Sequence, residues 1–298
     1  MVSTTSELQP AQSPLKAAFW MFGAILSFSA MAVSGRNVST ELDTFELMMY
    51  RSFISVFLVI SIGGIAGTLG QINTKSFGTH IARNVSHFTG QNLWFAALTM
   101  IPMAQVFALE FTSPIWVILL APLLLGERLT KLRILVALLG FTGVVIVARP
   151  DMGNINPGVV MGALSAIGFA GSAIFTKILT RTQTITCILF WLALMQSIFG
   201  IVFSVWDGDV AVPSNALMPW VISVSVAGLG AHFCLTKALS LAPAVTVIPF
   251  DFARLPLIAI IGAMIYAEPL DLWVFIGAAI IFSANYVNLL ATSRANKV

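Results

Sequence analysis

The stretch at residues 97–129, ALTMIPMAQVFALEFTSPIWVILLAPLLLGERL, decides the architecture because it occurs twice. The second copy, residues 238–270, reads ALSLAPAVTVIPFDFARLPLIAIIGAMIYAEPL without a gap, at an offset of 141 residues. Prolines and acids recur at matching positions: Pro102 as Pro243, Glu110 as Asp251, and Glu127 as Glu268. An internal repeat of nearly half the chain, in a very apolar sequence, predicts two related halves.

The composition places this chain in a lipid environment. Of its 298 residues, 58% are hydrophobic and 9% are charged, and the mean hydropathy is +0.95. A soluble domain carries about 25% charged residues, so a core facing water could not hide this much apolar surface. The net charge of +3 comes from basic residues scattered among the loops, which argues against nucleic acid as a partner.

Ten apolar runs, separated by charges, glycine and proline, are each long enough to cross a bilayer as a helix. We place them near residues 15–34, 44–67, 79–99, 102–125, 131–148, 158–178, 184–206, 217–239, 243–266 and 270–291. The sequence therefore predicts an all-α integral membrane protein with ten transmembrane helices in two inverted five-helix repeats. Residues 1–13 are expected to be a disordered cytoplasmic tail, residues 14–150 the first repeat and residues 151–298 the second.

The basic residues predict the orientation. With a cytoplasmic N-terminus, ten lysines and arginines in the loops, in the termini or near the ends of spans fall on the inner side, and only Arg36 and Arg149 fall on the outer side. Both termini are then cytoplasmic, in the inner membrane of a bacterium. Because five spans is an odd number, the second half enters the membrane inverted. Arg36 and its repeat position Lys177 accordingly lie on opposite sides. Inverted halves are typical of alternating-access carriers with a substrate site near the midplane.

The motifs FTSP and LLLGERL in the first copy, with GFTGVVIVARP closing the half, resemble the EamA-type repeat of the drug/metabolite transporter superfamily. The resemblance covers nearly the whole chain, although Leu255 stands where the first half has Pro114, and Ala267 where it has Gly126. It implies a basket of helices around a central cavity. Within the superfamily, the length and layout are similar to the bacterial aromatic amino-acid exporters, which implies export of amino acids.

The third span carries a polar stripe. Its residues recur at spacings of four, three, four and three, which place them on one helical face: His80, Asn84, His87, Gln91 and Trp94. Such a face could line a substrate cavity, or it could hold helices together through hydrogen bonds. No carboxylate or cysteine completes a metal-ligand set around the histidines, so no metal site is predicted.

Ionisable residues at membrane depth are candidate functional groups because burying them in lipid is expensive. They are Arg51, Arg83, Glu110, Asp251 and Arg254, together with His87 and His232. Asp251 and Arg254 share a helix face. They could form a self-neutralising structural pair, or they could bind the ammonium and carboxylate groups of an amino acid. Glu110 has no basic neighbour on its own helix, so we expect either pairing with Arg51 or Arg83 or a protonated carboxyl group.

Aromatic and proline residues complete the predicted site. Aromatic side chains at membrane depth could form apolar walls of the cavity: Trp20, Trp94, Phe28, Phe107, Phe111 and Phe169. Pro114 and Pro256 interrupt the repeated helices and are candidate gates, because proline removes a backbone hydrogen bond and kinks a helix.

The expected function is secondary transport of small metabolites by rocking of one half against the other, most simply export of amino acids, including aromatic ones. The alternatives are carriage of a nucleotide sugar, a vitamin or a drug. An intramembrane enzyme would need a convergent catalytic constellation that the scattered histidines do not supply. A sensor would need a soluble domain or a long loop. We expect no cofactor, since no phosphate loop or dinucleotide fingerprint occurs in context, and no partner beyond the solute and membrane lipid.

Overall fold

The computed structural model describes residues 14–125, 130–149, 156–179, 181–206, 208, 210–241, 250–251 and 253–295. Helices make up nearly all of this described part. They are α1 (Pro14–Val38), α2 (Thr44–Ile65), α3 (Phe77–Met100), α4 (Met103–Glu110), α5 (Ser113–Leu125), α6 (Lys131–Ala148), α7 (Pro157–Leu179), α8 (Ile185–Trp206), α9 (Met218–Leu241), α10 (Arg254–Tyr266) and α11 (Leu272–Ala295).

These helices match the predicted spans. Seven helical segments of the described chain are long and apolar enough to cross a membrane, α4 and the start of α5 counting as one. The α3 helix is equally long but carries the polar stripe, whereas the apolar parts of α10 and α11 are shorter. Large hydrophobic side chains such as Phe57 and Leu138 are exposed at the surface, as expected for contact with lipid. Part of the ninth predicted span, residues 243–249, lies outside the described residues.

The fourth predicted span is broken where the sequence places Pro114. Helix α4 ends at Glu110 and α5 starts at Ser113. Proline has no N–H to donate to the carbonyl of Glu110, and the Ser113 hydroxyl donates to that carbonyl instead, at 2.7 Å. Asn285 of α11 donates to the carbonyl of Phe111, with an N–O distance of 2.8 Å. The break is thus stabilised by side chains from both halves of the chain.

Pro256 follows a similar break in the ninth predicted span, where Phe250 and Asp251 are helical and Ala253 lies in a turn. Helix α10 begins at Arg254, so Pro256 lies in its first turn. An N–H in the first turn has no intrahelical acceptor, and proline is therefore accommodated there without a kink. Pro114 and Pro256 therefore each lie in the first turn of a helix that follows a break, and their role as gates stays a prediction.

The most extensive helix contacts join the two halves of the chain. Helix α1 packs along α9 and α3 along α7, while α2 packs on α8 and α6 on α11. Exchanging the two repeats converts the α1–α9 pair into the α7–α3 pair and maps the other two pairs onto themselves. The contact pattern therefore has the pseudo-two-fold symmetry that inverted repeats require.

Glycines allow the closest of these approaches. A Cβ atom built on Gly168 of α7 would lie 2.6 Å from the Cα atom of Gly90 on α3. A Cβ on Gly143 of α6 would similarly lie 2.7 Å from the carbonyl oxygen of Gly277 on α11. No other residue fits at such contacts without separating the helices, and small residues are typical of membrane helix interfaces.

Side-chain contacts define two ends of the bundle. At the Arg36 end, where α1 finishes, Arg36 pairs with Glu268, which also accepts from the backbone N–H of Met103 at 2.9 Å. An ion pair between Arg149 and Asp271 lies at the same end. At the opposite, Asn73 end, the Trp191 indole donates to the carbonyl of Asn73 at 2.8 Å. These two ion pairs join the ends of α1 and α6 to the loop between α10 and α11.

Candidate functional site

A buried ionic group lies where α3, α4 and the start of α10 meet. Arg254 donates to Asp251, with an N–O distance of 2.6 Å, and to Glu110 at 3.3 Å. Glu110 also accepts from the indole N–H of Trp94 at 2.9 Å. We call Trp94, Glu110, Asp251 and Arg254 the Arg254 cluster. The predicted Asp251–Arg254 pair forms, and Glu110 joins it from a position 144 residues away.

Aromatic rings surround the guanidinium of this cluster. The Arg254 Cζ atom lies 4.6 Å from the ring centre of Phe28, 5.2 Å from that of Phe111 and 5.3 Å from that of Phe107. These distances are within the range of cation–π attraction. Arg254 is itself only 4% exposed. Phe28, Phe107 and Phe111 thus lie together around Arg254, and their role as cavity walls stays a prediction.

The charges of the Arg254 cluster do not match the amino-acid site considered from the sequence. Its one arginine already faces two carboxylates, Glu110 and Asp251. A substrate carboxylate arriving at Arg254 would be repelled by both acids and would have to displace one of them. The expectation that Arg51 or Arg83 pairs with Glu110 is also wrong, because Arg254 occupies that position.

The polar stripe on α3 is buried throughout, but its members have different surroundings. Asn84 bonds to the carbonyl of His80 at 2.8 Å and lies 3.2 Å from the Met195 sulfur of α8, which is the helix-packing role. Gln91 faces the Met31 sulfur of α1 at 3.9 Å. His87 borders a cleft, and Trp94 belongs to the Arg254 cluster. One predicted face therefore divides into packing residues and residues that face polar groups.

A second polar group lies between α2, α3, α8 and α9. It surrounds a narrow cleft with a volume of about 20 Å³. We call it the Arg51 cleft, and it is lined by Met48, Arg51, Ser52, Ser55, His87, Leu189, Leu192, Ala193, Gln196, Gly228, Leu229 and His232. The sequence indicated Arg51 and His232 as ionisable residues at membrane depth, but it did not assign them to a site. Ser52, Ser55 and Gln196 were missed, because isolated serines and glutamines are common in membrane helices.

Rings connect the cleft to the Arg254 cluster. The Phe28 ring, which faces Arg254, also meets His232 at 5.6 Å between centres. His232 lies 6.0 Å from His87, and His87 lies 6.2 Å from Phe169. Phe28 and Phe169 occupy equivalent positions in the two repeats. We call these four rings the central aromatic group.

Trp20 lies elsewhere. It packs edge-on against Phe233 on α9 at 5.7 Å, and Phe233 is half exposed at the lipid-facing surface. The sequence could not distinguish the two sides of α1, because apolar residues cover the whole helix. Trp20 was predicted to lie with the other aromatic residues of the site. In the structure it lies apart from both the central aromatic group and the Arg254 cluster.

Comparisons with known proteins agree with the ten-helix arrangement. A family model described as the EamA-like transporter family matches residues 15–149 and again residues 156–290. A riboflavin transporter of Rhizobium johnstonii is 29% identical over 293 residues, covering 96% of this chain and 94% of the relative. A riboflavin transporter of Brucella anthropi is 28% identical over 271 residues, covering 89% and 95%.

Two further similarities extend this result. An S-adenosylmethionine uptake transporter of Rickettsia felis is 26% identical over 278 residues, covering 93% of each chain. A solved crystal structure of a protein superimposes with a TM-score of 0.65 over 94% of this chain and 98% of the other. At 18% sequence identity, that structure shows a common fold and nothing more specific.

Proposed function

Because the chain belongs to the EamA-like transporter family, and is therefore a multi-pass membrane transporter of small metabolites, we propose that it takes up a solute with a planar heterocycle and a polar chain. The observation that carries this proposal is the central aromatic group, whose two histidines line the Arg51 cleft and whose Phe28 ring faces Arg254. Flat rings stack on such side chains, while the flanking polar groups can orient the rest of a solute.

The relatives support a heterocyclic solute over an amino acid. Riboflavin and S-adenosylmethionine, the compounds in the names of the relatives, each join a fused-ring heterocycle to a polar chain. These names favour the alternative of a vitamin or related metabolite carrier over amino-acid export. The ion pairs of Arg254 also argue against an amino-acid substrate. The guanidinium expected to bind an amino-acid carboxylate already pairs with Glu110 and Asp251.

We place the Arg36 end at the periplasm and both termini in the cytoplasm, on the distribution of basic residues.

The helix pairing indicates which groups of helices move together. Rigid rocking of one sequence half against the other would separate α1 from α9 and α3 from α7, which pack along their lengths. Motion of the α1–α9 pair against the α3–α7 pair preserves both contacts. Alternating access in this chain therefore uses moving bodies that contain helices from both halves.

Counterflow in proteoliposomes tests the proposed function. Vesicles containing the purified protein are loaded with one unlabelled compound, and entry of the labelled compound is followed for riboflavin, S-adenosylmethionine and phenylalanine in separate experiments. We expect accumulation of a heterocyclic compound above that of empty vesicles, and no accumulation of phenylalanine. Accumulation of phenylalanine alone would instead support amino-acid transport and would contradict the proposal.

A further inference from the structure

The two polar groups at the centre of the molecule have opposite charge balance. The Arg254 cluster combines one guanidinium with two carboxylates. The Arg51 cleft contains Arg51, and Arg83 lies one helical turn from the cleft residue His87. Neither Arg51 nor Arg83 forms an ion pair with any carboxylate among the residues that the structure describes. This part of the interior has two buried cations and lacks a described counter-charge.

The two arginines differ in how their guanidinium groups are held. Arg83 donates to the Thr176 hydroxyl of α7 at 3.1 Å and to the side-chain oxygen of Asn84, on its own helix, at 3.2 Å. Arg51 is only 6% exposed, yet its hydrogen-bond contact within the described chain is the weak acceptor sulfur of Met48, at 3.5 Å. Arg51 therefore retains donors that are available to a ligand in the cleft.

Gly228 leaves the space that this guanidinium needs. A Cβ atom at Gly228 on α9 would come within 3.0 Å of the Arg51 Nη2 atom. The remaining polar lining, Ser52, Ser55 and Gln196, can contribute further hydrogen bonds. The cleft thus combines an available, nearly buried guanidinium, small polar side chains and an opening, and its lining contains no carboxylate.

We propose that the Arg51 cleft binds an anionic group of the transported solute, a carboxylate or a phosphate. The planar fork of a guanidinium matches both groups in bidentate geometry. A buried arginine without a counter-ion is costly, so an incoming anion would relieve that cost. This inference deepens the proposed function, because it names a chemical group on the carried solute: the heterocycle lies on the central aromatic group and the anion at Arg51.

The charge preference of the cleft can be measured without knowing the solute. In a chain with Cys187 and Cys234 replaced by alanine, Ser52→Cys places a thiol beside Arg51. The purified protein is reacted separately with anionic sulfonatoethyl methanethiosulfonate and cationic trimethylammonioethyl methanethiosulfonate. We expect the ratio of anionic to cationic rate to exceed that of free cysteine by about tenfold, since the local charge attracts one reagent and repels the other.

Two variants serve as controls. Adding Arg51→Gln should return the ratio at Ser52→Cys close to that of free cysteine. Gln105→Cys lies in a separate cleft where Glu268 and Asp271 are each paired with an arginine, so its ratio should stay close to that of free cysteine. If inorganic phosphate but not acetate lowers the reaction rate of the anionic reagent, the cleft is a phosphate site. If acetate but not phosphate lowers that rate, it is a carboxylate site.

The proposal is overturned if Ser52→Cys reacts with both reagents at the free-cysteine ratio, if Arg51→Gln leaves the ratio unchanged, or if the thiol reacts with neither reagent. None of these rates depends on transport. A failure of the anion site is therefore distinguishable from a failure of the proposed heterocycle uptake, which counterflow measures.

Discussion

At the scale of single residues, Arg254 shows how a membrane-buried charge is stabilised. The guanidinium bonds to Asp251 and Glu110 and lies over three phenylalanine rings. Both carboxylates would lose their cation if Arg254 were removed, whereas replacing a whole buried ionic group by neutral residues can be close to neutral for stability. Removing one charged member of the Arg254 cluster should therefore destabilise the protein more than neutralising all three charged members together.

This difference gives the first prediction. Arg254→Leu should lower the free energy of unfolding by up to about 3–5 kcal/mol, because two partly buried carboxylates lose their partner. The triple variant Glu110→Gln, Asp251→Asn, Arg254→Leu should recover most of that loss. Unfolding in detergent, followed by tryptophan fluorescence, measures both. If the Arg254→Leu protein is as stable as wild type, the ion pairs of the Arg254 cluster do not contribute to stability. Counterflow by a stable triple variant would further show that the solute does not need the cluster.

At the scale of helices, the α1–α9 contact and the Arg36 end have different mechanical roles. Ser34 of α1 and Ser223 of α9 lie with their hydroxyl oxygens 2.8 Å apart, inside a pair that we expect to move as one body. Arg36 and Glu268 instead join α1 to the loop between α10 and α11, where the bundle must open. One contact should persist through the transport cycle, and the other should break.

Disulfide cross-linking distinguishes the two, again with Cys187 and Cys234 replaced by alanine. Oxidised Ser34→Cys/Ser223→Cys should retain most of its counterflow activity. Arg36→Cys/Glu268→Cys, joined by a short reducible bis-methanethiosulfonate that replaces the length of the two side chains, should lose it and regain it on reduction, because the cross-link prevents the Arg36 end from opening. Loss of activity in the Ser34/Ser223 variant, reversed by reduction, would show that α1 and α9 separate and that our choice of moving bodies is wrong.

At the scale of the whole molecule, the sequence predicted the architecture well because the strongest signals are local. Lengths of apolar runs predicted the helices, and the offset of 141 residues predicted the two repeats. The Asp251–Arg254 pair could also be predicted from the sequence, since a spacing of three residues places both on one helical face. These features depend on neighbours in the chain or on a simple period.

The parts that the sequence did not predict depend on which helices become neighbours. Glu110 meets Arg254 across 144 residues, and no periodicity within α4 or α10 indicates that contact. The α3 stripe divides because His80 and Asn84 face α8 whereas His87 faces a cleft. The Arg51 cleft combines residues from four helices, none of which forms a motif by itself. Tertiary packing, which a single sequence does not show, determines each of these.

Alternating access requires the two ends of the molecule to open at different times, and paired distances measure this directly. Spin labels at Thr40 and Leu270 report on the Arg36 end. Labels at Arg181 and Lys131, close to the repeat-equivalent positions, report on the Asn73 end. All four residues are exposed or lie in loops, so labelling should leave the packing intact.

Electron–electron double resonance should be recorded on both pairs in lipid nanodiscs, with and without the compound that accumulates in counterflow. We predict that this compound shifts the two distance distributions in opposite directions, with the Thr40–Leu270 pair separating as the Arg181–Lys131 pair approaches. If both pairs separate together, the protein forms an open channel. If neither distance changes while transport proceeds, the proposed alternating-access mechanism is wrong.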